Sequence, residues 1–210
     1  MADLKPLYLN SCSTVLDLIA RAEMDEQWSS ASVLPELSVG GLAAHLGRAL
    51  LTVDAYLQGD VPPKDAAQVD AAGYFLAALG DHDPVTSEFH QGVRQRGESA
   101  AEGGQQSVLE SLGAVFERLS QMPDDMDRQI AVLAGIRMGL GEYLKTRLVE
   151  IAVHCRDLAD SVQVEPPAIS DRCWRVVTEV VVAVTVLRNE PGAVALALSR
   201  ADRFPRVVAF

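Results

Sequence analysis

Aromatic residues are scarce in this 210-residue chain, at 5% of the total. Sheets draw on aromatic and β-branched side chains, so this shortage, beside abundant alanine and leucine, argues for helices. Cysteine is also rare. Cys12, Cys155 and Cys173 are odd in number and far apart, which excludes a disulfide framework and predicts reduced thiols in a cytoplasmic protein. Positive charge is the third shortage. Lys and Arg number 18 against 29 Asp and Glu, for a formal net charge of −11. The basic residues form no patch, so a nucleic-acid partner is not expected. The beginning, MADLKPLYLNSCS, lacks the basic start and long apolar run of a signal peptide. The longest apolar stretch, 176–187, is interrupted by Thr178, Glu179 and Thr185 and reads as a buried helix, not a membrane span. What remains, 49% hydrophobic and 22% charged residues, is the composition of one globular core.

The stretch YLKTRLVEIAVHCRDLA, 143–159, is predicted to be a single helix. Leu140, Leu144, Leu148, Ile151, Cys155, Leu158 and Val162 fall in one apolar arc of its wheel. Glu150 and His154 lie beside that arc, four residues apart and therefore stacked one turn apart on one face. Two metal-competent side chains at a core margin call for a partner, and His45 is the candidate.

Taken in order, the chain predicts a first helix over about 7–27, with Leu9, Val15, Leu16, Leu18 and Ile19 inward and Asp17, Arg21 and Asp25 outward. A loop with Pro35 follows, and Ser38 is the expected N-cap of a second helix over about 39–58. That helix presents Leu42, Leu46, Ala49, Leu50, Val53 and Leu57 on one side, with His45, Thr52 and Tyr56 on the flank. Gly59 and Pro62-Pro63 stop it. Residues 61–83 read as a long connection in which AAGYFLAALG forms a short helix. Pro84 is placed at the first turn of a third helix running towards Met122, broken near Gly103-Gly104. Leu109, Leu112, Val115, Phe116 and Leu119 are its later core face. Residues 123–127 are a turn, and 129–137 read equally as extended or helical. The 143–159 helix ends before Pro166-Pro167. A fifth helix, about 170–188, is apolar on several faces and expected to be well buried. Residues 190–199 form a last short helix. The fold class is therefore all-α, a single domain built around a four-helix bundle.

Two histidines and a glutamate from two helices make a three-ligand site with an open position, as catalytic zinc uses. The same donors suit Ni2+, Co2+ or Fe2+. The competing readings are ordinary ones: Glu150 pairs with Arg147, and His45 and His154 are core-margin histidines bonded to backbone. Cys155 points into the apolar arc and packs there, while Asp157 either orients a ligand histidine or is a surface carboxylate. His82 and His90 read as surface residues.

LSVGGLAAHLGRALL, which reaches His45, resembles the segment carrying the first metal ligand in the DinB-like superfamily, and more narrowly the mycothiol-dependent maleylpyruvate isomerase family. YLKTRLVEIAVHCRDLA is similar to that family's later helix, in which the Glu, the His and the following Asp-Leu-Ala recur. The ending ALSRADRFPRVVAF is also similar. The resemblance covers nearly the whole chain, thinly between about 59 and 130. It implies a DinB-like four-helix bundle over 1–163 with additional C-terminal helices over 164–210 packed on the same core. It also implies a divalent ion, typically Zn2+, on His45, Glu150 and His154, and mycothiol as thiol cofactor or co-substrate. The activity implied is that of a thiol S-transferase or an isomerase acting on a small electrophile. A functional arginine expected near the start of the third helix is best matched by Arg94, with Arg96 second. One departure is Leu37, where the family often has Trp. The alternatives are a non-catalytic metal-binding sensor or interaction bundle and a purely structural helical protein. A homodimer through the fifth helix fits the pattern, and no membrane partner does.

Overall fold

The computed structural model describes residues 4–80, 88–133 and 135–200, with backbone alone at 88–90. Among them are nine helices and a small three-stranded sheet. His82 and Pro84 lie outside the described residues, as does the side chain of His90.

Helix α1 (Leu4–Ile19) buries Tyr8, Cys12, Val15 and Ile19 at the 4-3-4 spacing of one helical face. The Tyr8 hydroxyl, sealed in the core, donates to the Ala49 carbonyl at 2.8 Å. Leu9 and Leu16, expected inside, are only half-buried; the inward face is turned by about one residue. The predicted 7–27 helix is in fact two, α1 and a short α2 (Ala22–Glu26). The break at Ala20-Arg21 is stabilised from elsewhere: the Gln105 amide donates to the carbonyls of Ile19 (2.7 Å) and Arg21 (2.8 Å), the second of which also accepts from Met24 N.

Helix α3 (Val39–Gln58) starts at Ser38, whose hydroxyl accepts from the Gly41 amide. The long connection after it contains strand β1 (Gln68–Val69) and helix α4 (Ala71–Leu79). Asp70 caps α4 by accepting from Gly73 N, and Glu142 accepts from Ala71 N at 3.0 Å, which ties α4 to a later helix. The third predicted helix is divided at the glycine pair into α5 (Glu88–Ala101) and α6 (Gly104–Ser120). Gly104 has φ +80, a left-handed conformation that favours glycine.

Residues 129–132 and 136–139 are extended. Strands β2 (Gln129–Val132) and β3 (Ile136–Gly139) pair antiparallel, with Ile130 opposite Met138, and β1 joins β3 in parallel, with Gln68 opposite Arg137. Period-2 burial of Ile130 and Val132 decides for strand. The sheet lies where the chain enters α7 (Leu140–Ser161).

Helices α1, α7, α3 and α6 form a ring of four in which each packs on the next, the DinB-like all-α bundle. Helix α5 lies along α3. Helix α8 (Asp171–Arg188), capped by Ser170, packs on α7 and α4, and α9 (Pro191–Ser199) follows. The expectation of burial on several faces of α8 is corrected. Its neighbours α4 and α7 cover the side with Cys173, Val176, Val177, Val180 and Val184. Trp174 and Leu187 remain 43% and 56% exposed. One buried apolar cluster runs through α1, α3, α4, α6, α7 and α8. No described helix is long and apolar enough to cross a membrane.

Candidate metal centre

Helices α3 and α7 run side by side in opposite directions. His45 faces Glu150 and His154, whereas Thr52, two turns on, meets Tyr143, whose hydroxyl donates to it at 2.7 Å. On α7, Tyr143, Arg147, Glu150 and His154 follow one another at spacings of four, three and four, which puts all four on one face. The sequence therefore aligns a row of polar groups that the opposite helix completes.

One donor atom each from His45, Glu150 and His154 come within 4.8 Å of one another. Glu150 Oε2 is 3.3 Å from His154 Nε2 and 3.9 Å from His45 Nε2. Donors about 2.0–2.2 Å from a tetrahedral ion stand roughly 3.4 Å apart, so small side-chain adjustments place all three on one cation. The two imidazole rings meet edge to face with centroids 5.0 Å apart. His154 Nδ1 is 2.9 Å from Asp157 Oδ2, an arrangement that orients the ring, raises its basicity and turns Nε2 towards Glu150. Of the two readings of Asp157, the orienting carboxylate is the observed one.

The electrostatics follow from the crowding. Burial, together with the neighbouring His154, lowers His45 to about 4, so its imidazole is neutral at neutral pH. For His154 burial acts against the charged form, but Asp157 and Glu150 outweigh it and raise the group to about 9. Burial also opposes ionisation of Glu150, and His154 and Arg147 overcome it, bringing the carboxyl down to about 2. His45 has no hydrogen bond through either ring nitrogen, and its Nδ1 is buried without a partner. A buried imidazole left in this way is costly; a cation between it and Glu150 removes much of that cost. The donor set, its spacing and the orphaned ring thus fit a divalent ion.

Arg147 does not pair with Glu150 as the ordinary reading had it. Its guanidinium carbon lies 4.8 Å from the centroid of the Tyr143 ring and 5.5 Å from that of Tyr74, which α4 brings in. Its positive charge is nevertheless near enough to lower both Glu150 and His45. The spacing of 143, 147, 150 and 154 was open to sequence reading; the contribution of Tyr74, from the long connection, was not. Arg94 lies on α5 with Nη2 2.8 Å from Glu36 Oε2, and Arg96 on the same helix is exposed. The arginines whose charges bear on His45 are Arg48 and Arg147. Cys155 is buried and its thiol pushed up to about 12 by burial, the signature of a packing residue.

Comparison with known proteins adds identity to this geometry. A family model described as the mycothiol maleylpyruvate isomerase N-terminal domain matches residues 9–159. Neither a comparison with curated proteins nor one with solved structures gives a match. The matched segment runs from α1 into α7 and contains His45, Glu150 and His154. The chain belongs to the mycothiol maleylpyruvate isomerase N-terminal domain family.

Proposed function

We propose that this protein is a mycothiol-dependent metalloenzyme that promotes attack of the thiol on a small electrophile, either as a thiol S-transferase or in a maleylpyruvate-isomerase-like isomerisation. The observation that carries the reading is the convergence of His45, Glu150 and His154 from two helices, with Asp157 behind His154. These three residues would hold a divalent ion, Zn2+ foremost, whose charge keeps a thiol deprotonated near neutral pH.

The chain's own residues supply the rest. Asp157 fixes the His154 ring, and packing of α3 on α7 fixes the distance between the histidines. Tyr143 and Thr52 extend the polar row on one side and give it rigid walls. Arg94, which pairs with Glu36, is carried over from the family resemblance alone as the cation that stabilises negative charge developing on the electrophile. The three buried thiols, none of them paired, support a cytoplasmic location.

Elemental analysis of the purified protein, beside His45→Ala and Glu150→Ala checked for folding by circular dichroism, tests the centre. The expected result is about one divalent ion per native chain, lost in both folded variants. A panel of electrophiles such as monochlorobimane, with mycothiol, tests the reaction. A native protein that binds metal but neither binds mycothiol nor accelerates any conjugation would leave a non-catalytic metal-binding bundle and sink the enzyme reading.

A further inference from the structure

Helix α8 lies outside the ring of four and turns one side inward: Cys173, Val176, Val177, Val180 and Val184 are buried towards α4 and α7. At 100° per residue the opposite side is made of Arg175, Thr178, Val182 and Val186, with Trp174 and Glu179 on its flanks. Arg175, Thr178 and Glu179 are exposed, and Val182 and Val186 half-buried. Trp174, 43% exposed, borders a shallow hollow of about 470 Å³ that Asp171, Arg175, Thr178 and Glu179 also line. A tryptophan left half in water beside a hollow and a row of valines has the composition of a protein–protein anchor.

The charges on this side decide what fits it. Arg175 and Glu179 are four residues apart on one helix, yet neither forms an ion pair with any described residue. Arginine before glutamate is the weaker order for such a pair within a helix. Asp171, Arg172, Arg175 and Glu179 together make the first half of α8 neutral, in a chain whose formal net charge is −11. A basic partner is drawn to the acidic remainder of the surface, not to a neutral face. A face with one unpaired charge of each sign, on either side of Thr178, is complementary to itself turned through 180°.

We propose that the outer face of α8 is the two-fold interface of a homodimer, in which Arg175 of each copy pairs with Glu179 of the other and Trp174 of each packs on Val182 of the other. A two-fold axis beside Thr178 runs the two helices antiparallel. Trp174 and Val182 are each four residues from Thr178, about 6 Å along the helix on either side, so one meets the other across the axis. Arg175 and Glu179 of the other copy are then offset by about 3 Å along the helices, within the reach of an arginine side chain. The pairing uses none of the metal ligands and holds whether or not the three-ligand centre is loaded. One helix pair buries less than the roughly 1,200 Å² at which standard interfaces begin, so the dimer is reversible, with Kd about 1–100 μM.

The test is sedimentation equilibrium of the native protein from about 1 to about 500 μM, in about 0.15 M salt to screen the general repulsion of two acidic chains. A monomer–dimer equilibrium is expected. Arg175→Glu and Glu179→Arg, each checked for folding by circular dichroism, should each weaken the dimer about tenfold or more, because either change sets like charges against each other. Mixed one to one, the two variants should form a heterodimer of about native affinity, since every facing pair is then of opposite sign. Trp174→Ala should weaken the native dimer about tenfold or more through lost packing. A native protein that stays monomeric over the whole range overturns the inference and leaves the face to another part of the chain or to a different protein. A dimer that neither charge reversal weakens, or whose loss mixing does not restore, overturns it too, because the interface then lies elsewhere.

Discussion

His154 has one ring nitrogen on Asp157 and the other facing Glu150, so the influence of Asp157 on a bound ion passes through a single imidazole. Replacing Asp157 by Asn keeps the shape and removes the charge that makes His154 a strong base. Carboxylates in this position typically contribute ten- to a hundredfold in metal affinity, and a loss of about that size is expected for Asp157→Asn, measured by competition with a chromogenic chelator at fixed pH. An unchanged affinity would reduce Asp157 to a surface carboxylate. The residue scale also shows what could be read beforehand. Glu150 and His154 announce themselves by a four-residue spacing in an amphipathic helix, and Asp157 by a further three. The setting of Arg147 could not be read in the same way, because Tyr74 reaches it from a segment with no helical signal beyond a short alanine-rich run.

At the scale of elements, the crossing of α5 over α3 depends on glycine. A Cβ built on Gly97 would stand 2.8 Å from the Gly41 carbonyl oxygen, and a backbone atom in a helix cannot move aside as a side-chain tip can. The start of α3 is also tied to α5 by Glu98, which accepts from Ser38 N at 2.6 Å and from the Ser38 hydroxyl at 2.9 Å. Gly97→Ala should therefore push α5 outward and destabilise the protein by about 1–3 kcal/mol. Gly113, in the middle of α6, has nothing within 4 Å of its notional Cβ, so Gly113→Ala should stabilise by about 0.5–1 kcal/mol. Thermal melts of the two variants should move in opposite directions; the same sign for both would remove the crossing argument. Element boundaries were legible where local chemistry writes them, as at Ser38 and at Gly103-Gly104. They were illegible where a distant group does. The split between α1 and α2 has no glycine or proline at Ala20-Arg21 and is stabilised by Gln105, more than eighty residues away. The strands at 129–132 and 136–139 fall in a segment whose sequence reads equally as extended or helical, because four-residue strands are too short for their period to separate them from a helical turn.

For the whole molecule, the three cysteines ask whether α8 belongs to the bundle. Cys12 is on α1, Cys155 on α7 and Cys173 on α8, and all three are buried. Ser11 of α1 lies 4.0 Å from the Cys173 sulfur, and Cys173 is near enough to Cys155 to help raise its thiol. The thiols thus report on one interior from three helices, the last of which is beyond the segment matched by the family. Burial raises each of them above the ordinary 9.0, Cys155 to about 12. At pH 8 only about one Cys155 in ten thousand is thiolate even before access is considered. The native thiols should be silent to an aromatic disulfide reagent. Their raised values mean that the folded chain keeps protons the unfolded chain gives up, so the contribution they make to stability is present below about 9 and declines as the pH rises beyond it. Titrated with urea at pH 8, the three should become reactive over a single transition, because α8 shares its buried face with α7 and α4. If Cys173 labelled at clearly lower urea than Cys12 and Cys155, residues 164–210 would be a separately folding appendage. The walls around Tyr74 and Arg147, which α8 supports through α4, would then be less firmly held than the metal ligands beside them.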